Sequence, residues 1–128
     1  MKRFKTNDPF SISKGLNIQV KFERLGNGTR GFYVRMLRRR FIVIDSDLSA
    51  DWQRFVCAHE LGHDRLHPGI NRFFLDEQTL FNAGKYERQA NKFAASLLTY
   101  GDQPHSGESI HDYYNRHGIP PELHKLLY

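Results

Sequence analysis

Cysteine is nearly absent. Cys57 is the one thiol in 128 residues, which excludes an internal disulfide framework and fits a reducing compartment. It has no CxxC partner, and its place in an apolar helical run marks a small buried hydrophobe, not a nucleophile or ligand. Also lacking is any run of about 18 apolar residues that could cross a bilayer. Met1 to Phe10 mixes Lys2, Arg3, Lys5 and Asp8 with Pro9 in place of an apolar signal segment, so the expected location is the cytoplasm. No repeat or low-complexity tract stands out. Hydrophobic residues at 39% and charged residues at 26% favour neither a disordered nor a fibrous chain. At about 100 to 200 residues per domain, residues 1–128 are expected to form one domain.

Acidic residues are outnumbered, 14 against 19 basic ones, for a net charge of +5. Such a balance attracts acidic partners only over a range limited by salt. The densest basic stretch, Arg35 with Arg38, Arg39 and Arg40, adjoins strand-like sequence and carries no DNA-reading helix or aromatic stacking motif. It reads as a solvated turn whose arginines discourage edge-to-edge strand pairing, and direct nucleic-acid binding is not expected.

Two periods divide the chain. Residues 1–16 have neither, and read as a flexible arm or a short capping segment. Ile18, Val20 and Phe22 alternate with polar residues, Gly26-Asn27-Gly28 offers a tight turn, and Phe32 to Leu37 alternates again, which predicts a hairpin. Phe41-Ile42-Val43-Ile44 reads as a strand covered on both faces. Three mainly antiparallel strands are the simplest sheet. The period then becomes helical: Ser49 as N-cap and Asp51 in the first turn open an amphipathic helix over about 50–67, which Pro68 stops. A second helix is predicted over about 85–99, on the stripe Tyr86, Ala90, Phe93, Ala94, Leu97 and Leu98. Residues 69–84 are too broken by polar positions for a helix and have room for a short strand. Residues 102–128 form a C-terminal tail with short helices at Glu108 to Arg116 and after Pro120.

The chemistry concentrates in His59-Glu60-Leu61-Gly62-His63, an HExxH motif on the first of these helices. Residues four apart share a helix face, so both imidazoles can reach one ion while Glu60 stands beside it as catalytic base. Zinc suits this nitrogen and oxygen donor set, and a catalytic site needs a third protein ligand and an open fourth position. A further histidine where Gly69 stands would mark the metzincin pattern, and it is missing. His67 continues the series, but about 12 Å of straight helix separates it from His59, too far for both to bind one ion. It is expected to be a helix C-terminal residue. Glu87 is the better third ligand, since it shares a face with Ala90, Asn91 and Ala94, which would let two helices approach. Asn91 could then bond an imidazole of His59 or His63. Asp64, Asp76 and Glu77 stay open as alternatives. Tyr86, Tyr100, His105, His111 and Tyr113 could each stabilise an oxyanion, and spacing selects none of them.

FVCAHELGHDRLH, from Phe55 to His67, with ERQANKFAASLL, from Glu87 to Leu98, resembles the ImmA/IrrE family of metallopeptidases, whose site is gluzincin-like. The likeness covers about residues 30–128 and extends to Gly118-Ile119-Pro120 in the tail, which resembles phage and mobile-element members. It implies a metal site of His59, His63 and Glu87 with Glu60 as base. It also implies an anti-repressor activity, the cutting of a helix-turn-helix repressor encoded alongside. The family commonly ends the second helix with Leu-Leu-Met-Pro, whereas Thr99-Tyr100 follows Leu97-Leu98 here. The chain shows no DNA-binding domain, so any repressor is expected to be a separate chain.

The expected fold is α+β and zincin-like: a small three-stranded sheet packed on the HExxH helix and a second ligand-bearing helix. The expected function is zinc-dependent endopeptidase acting on a protein substrate. The alternative is a metal-containing regulatory protein that binds its partner without hydrolysis. Glu60 separates the two, because a closed structural zinc site has no need of it.

Overall fold

The β-branched and alternating segments of the first half form β1 (Gln19–Glu23), β2 (Gly31–Met36) and β3 (Arg39–Asp45), and β4 (Arg72–Leu75) follows later. The helices are α1 (Pro9–Gly15), α2 (Ala50–Leu66), α3 (Glu77–Phe81), α4 (Lys85–Leu98) and α5 (Ile110–Arg116), with a closing 3-10 helix at Pro121–Leu126. The computed structural model describes residues 6–127, apart from the side chain of Glu77. The fold is α+β, a sheet packed against helices.

The sheet has four strands where three were expected, in the order β1-β3-β2-β4. β3 pairs antiparallel with β2 but parallel with β1, and β4 pairs antiparallel with β2. The hairpin therefore joins β2 to β3 and not β1 to β2. Only Leu37 and Arg38 separate the paired residues Met36 and Arg39, and a two-residue connection aligns antiparallel neighbours at less entropic cost than the longer loop 24–30. Leu37 takes φ 56° to close that turn. The turn at Gly26-Asn27-Gly28 instead lies in a crossover that places β3, the strand with the longest buried run, between β1 and β2.

Side chains of one sheet face, Tyr33, Ile42, Ile44 and Leu75, are buried beneath α2. Gly31 lies on the same face, where an added Cβ would meet Val56 Cγ1 at 2.5 Å and the Val43 carbonyl oxygen at 2.9 Å. The opposite face carries Phe32 and Phe74, rings 5.4 Å apart, and Phe74 is half exposed. β3 is thus covered by a helix on one side and not on both.

Ser49 caps α2, its side chain accepting from Trp52 N, with Asp51 in the first turn. This helix is not amphipathic along its middle: Phe55 to Asp64 are buried without a break. A helix enclosed on all sides belongs to the core, and α2 is enclosed because the sheet lies on one side and α1, α4 and the tail on the others. α4 keeps the expected stripe, with Ala90, Ala94, Leu97 and Leu98 buried. In the open choice at residues 1–16, residues 9–15 are a helix capped by Asp8, with Ile12 in the core, whereas residues 1–5 lie outside the described set. The tail folds back on the start of α2, where Arg54 donates to the His117 carbonyl at 2.7 Å and Trp52 Nε1 to Glu122 at 3.2 Å. Arg40 departs from the solvated turn: it pairs with buried Asp64 at 3.0 Å and donates to the Leu16 carbonyl.

Candidate metal centre

The helical repeat brings His59 and His63 to one face of α2, ring centroids 4.8 Å apart, with both side chains at 0% exposure. Glu87 arrives from the first turn of α4, where the helix dipole favours a carboxylate. Close approach of the helices is local to Gly62: a Cβ there would lie 3.1 to 3.2 Å from Phe93. Glu87 Oε1 sits 3.0 Å from His59 Nε2, and Oε2 sits 3.0 Å from His63 Nε2.

Of the two inner nitrogens, His59 Nε2 has a contact with Glu87 whose nature depends on the ring tautomer, and His63 Nε2 has no hydrogen-bond partner. His59 Nδ1 is 2.8 Å from Asn91 Oδ1, and since that oxygen can only accept, Nδ1 carries the proton. Its Nε2 then faces the Glu87 carboxylate lone pair to lone pair unless a second ring proton or a metal cation lies between. His63 Nε2 is near Glu87 but out of line for a hydrogen bond, and counts as a buried, unpartnered nitrogen. Zinc bonds of about 2.0 to 2.1 Å place tetrahedral donors about 3.3 Å apart, so the observed separations need only a slight expansion to admit the ion. The donor set fits.

Charge reinforces that fit. Burial lowers the pKa of His63 to about 4, against the pull of Glu87, and so keeps the ring neutral. Burial opposes ionisation of Glu87, but its close contacts with the His59 and His63 rings outweigh it and hold the carboxyl at about 2. Neutral imidazole and ionised carboxylate are the forms a metal needs.

Glu60 is wholly buried, and neither carboxylate oxygen has a hydrogen-bond partner. Its donor atoms and those of His59 and His63 lie within 4.8 Å of one another. Desolvation first, and the Glu87 charge second, raise its pKa well above the ordinary carboxylate value. A cation beside it reverses the second effect and offsets the first.

The structure engages the other candidate acids elsewhere. Asp64 accepts from the Tyr33 hydroxyl at 2.7 Å and pairs with Arg40 and Arg65. Asp76 caps α3 through Thr79, and the Glu77 side chain lies outside the described residues. Among the oxyanion candidates, Tyr86 packs on His67 with centroids 4.5 Å apart. The Tyr113 hydroxyl donates to the Asp102 carbonyl, and His111 bonds His124. Cys57 is buried, and desolvation pushes its thiol up to about 12, so it is inert.

Two residues escaped the sequence reading. Phe73 on β4 stacks flat on His63, centroids 3.6 Å apart at 9°; its apolar run showed in the sequence, but its strand pairing did not. His67 is buried at 6% exposure against the far side of His63, Nδ1 to Nδ1 at 3.0 Å. The histidine repeat at 59, 63 and 67 was the available signal, and it pointed to a contact between neighbours, not to a shared ion.

Two comparisons with known proteins bear on this site. A peptidase family profile described as the IrrE N-terminal-like domain matches residues 13–117. The chain is also 38% identical over 130 residues, 98% of its own length and 82% of the relative's, to a Bacillus phage phi105 protein called "Uncharacterized immunity region protein 2".

Proposed function

The chain belongs to the ImmA/IrrE peptidase family, that of the IrrE N-terminal-like domain, and on that premise we propose that it is a zinc-dependent endopeptidase of the cell interior that cuts a helix-turn-helix repressor. One observation carries the reading: two buried imidazole nitrogens and a carboxylate converge at 3.0 Å beside a second carboxylate whose oxygens are unpartnered. His59, His63 and Glu87 would hold the zinc. When bound, it supplies Lewis acidity, lowering the pKa of a water and polarising a carbonyl oxygen.

The protein's own groups supply the rest. Glu60 accepts the proton of the attacking water and returns it to the leaving amine; with no protein donor on either oxygen, the carboxylate is free for that exchange. Asn91 holds the His59 ring through Nδ1, and Phe73 restricts the His63 ring by stacking on it. β4 is one of the two edge strands of the sheet, and Phe73 ties it to the site. An extended substrate segment added along that edge would present its backbone near Glu60.

The name of the phage relative, which refers to an immunity region, supports a substrate among phage repressors. Among the described residues no helix is long and apolar enough to cross a membrane. The deciding experiment mixes purified protein with a candidate repressor, with and without a chelator, and reads fragment masses. Defined fragments that vanish with the chelator and in Glu60→Gln are expected. A zinc-loaded Glu60→Gln protein that still relieves repression would instead establish the non-hydrolytic alternative.

A further inference from the structure

A chain of hydrogen bonds behind His63 has no part in the reaction as described above. His67, the C-cap of α2, places its Nδ1 3.0 Å from His63 Nδ1 and its Nε2 2.7 Å from Gln89 Oε1 on α4. Its ring lies between Phe73, at 5.6 Å, and Tyr86, at 4.5 Å.

The direction of every bond in this chain follows from its outer end. An amide oxygen can only accept, so His67 Nε2 carries a proton. A ring with its one proton on Nε2 presents a lone pair at Nδ1. Two ring nitrogens 3.0 Å apart share one proton, and it must come from the other ring, so His63 is protonated at Nδ1. His63 Nε2 is then left bare on the side facing Glu87. The opposite tautomer would aim an N–H at the place of the metal and set two lone pairs against each other at the back.

We propose that His67 and Gln89 are positioning residues that fix the tautomer of His63 through this relay, as Asn91 fixes that of His59. The proposal rests on the metal reading for its consequence, since a preset tautomer matters most when Nε2 must bind an ion. The two imidazoles are thus oriented from the same helix, α4, which also carries Glu87.

A packing role makes a different forecast, so the test sets two variants against each other. His67→Phe keeps a ring against Phe73 and Tyr86 but offers no acceptor. His67→Asn gives up the ring, yet its Oδ1 stands as far from the backbone as the lost Nδ1. Zinc affinity is measured by competition with a chromophoric chelator. His67→Asn is expected to stay within about threefold of the wild type, and His67→Phe to weaken by about 10- to 100-fold, the usual cost of losing such a partner. The reverse order would overturn the proposal, because packing alone favours the ring.

A second measurement needs no variant. Long-range proton–nitrogen correlation spectra of the metal-free protein read each tautomer directly, and should show His63 protonated at Nδ1 and His67 at Nε2. A His67 protonated at Nδ1 refutes the relay. Wild-type protein that takes up no zinc would overturn the metal reading and the ligand role of His63 with it. Zinc bound equally tightly by His67→Phe and wild type overturns this proposal alone.

Discussion

Asn91→Ala separates a metal centre from a mere polar cluster. Asn91 is 2% exposed, and its Oδ1 accepts from the fully buried His59 Nδ1 at 2.8 Å. Without metal, truncation leaves that donor unsatisfied and should cost about 1–3 kcal/mol. With metal there is a further loss, because an untethered imidazole must be oriented by the ion itself, typically at about 10- to 100-fold in affinity, or about 1.4–2.8 kcal/mol. Zinc at about a thousand times Kd stabilises the wild type by about 4 kcal/mol. For 128 residues, an unfolding entropy of about 2.1 cal/mol/K per residue converts each kcal/mol to about 4 °C. Zinc should therefore raise Tm by about 15 °C in the wild type and by only about 5–10 °C in Asn91→Ala at the same zinc concentration. Thermal unfolding of both proteins, each with zinc and with excess chelator, gives the four values needed. The difference between the two zinc shifts cancels the metal-free defect. Equal shifts would refute the reasoning, since Asn91 would then support the fold and not the ion.

Further outcomes follow from the same geometry. Glu60→Gln should retain zinc while losing about 10²- to 10⁴-fold in peptide hydrolysis, checked by fragment yield at matched metal content. In chelator, Glu60 has a folded pKa raised above its unfolded one, so its contribution to stability is present below the ordinary carboxylate pKa and lost as pH rises. The stability of Glu60→Gln relative to wild type should accordingly grow from pH 4 toward 7 in denaturant titrations, and a flat difference would contradict the buried, unpartnered carboxylate. His63 has the opposite sign: its folded pKa is lowered to about 4, so its contribution is present above the ordinary histidine value of 6.5 and lost as pH falls through 4. Denaturant titrations of metal-free wild type and a His63→Phe variant across that window should diverge in this direction. Gly31→Ala drives a methyl into Val56 and the Val43 carbonyl and should destabilise by about 1–3 kcal/mol, read as a lower denaturation midpoint with or without zinc.

Burying this cluster costs stability and gives a preformed site. Uncompensated buried carboxylates destabilise a fold, yet Glu60 is enclosed without a donor. Phe55, Val56 and Leu61, on the same helix, are at 0% exposure, so this stretch of α2 is shielded from bulk water. The tail contributes at a distance, since Arg54 and Trp52 tie it to the opening turns of α2.

Sequence alone was enough for whatever depends on neighbours along the chain. The α+β class, the two long helices, the Ser49 cap and the pairing of His59 with His63 on one face all follow from local period and capping. The expectation that His67 lies too far along the helix from His59 to share an ion with it rests on the same ground, because helical rise is a property of the backbone. Strand order was different. β1 and β2 carried a good turn between them, and only the competition among all strands for the central place put β3 there. The same holds for α2, which reads as amphipathic in the sequence and is buried without a break from Phe55 to Asp64 in the fold. That Glu87 meets both imidazoles, that Asp64 is taken by Arg40 and Tyr33, and that Phe73 and His67 lie against His63 were decided by packing between distant segments. Local interactions repeat with the backbone and can be read from spacing, whereas contacts between elements depend on how every buried surface is shared out at once.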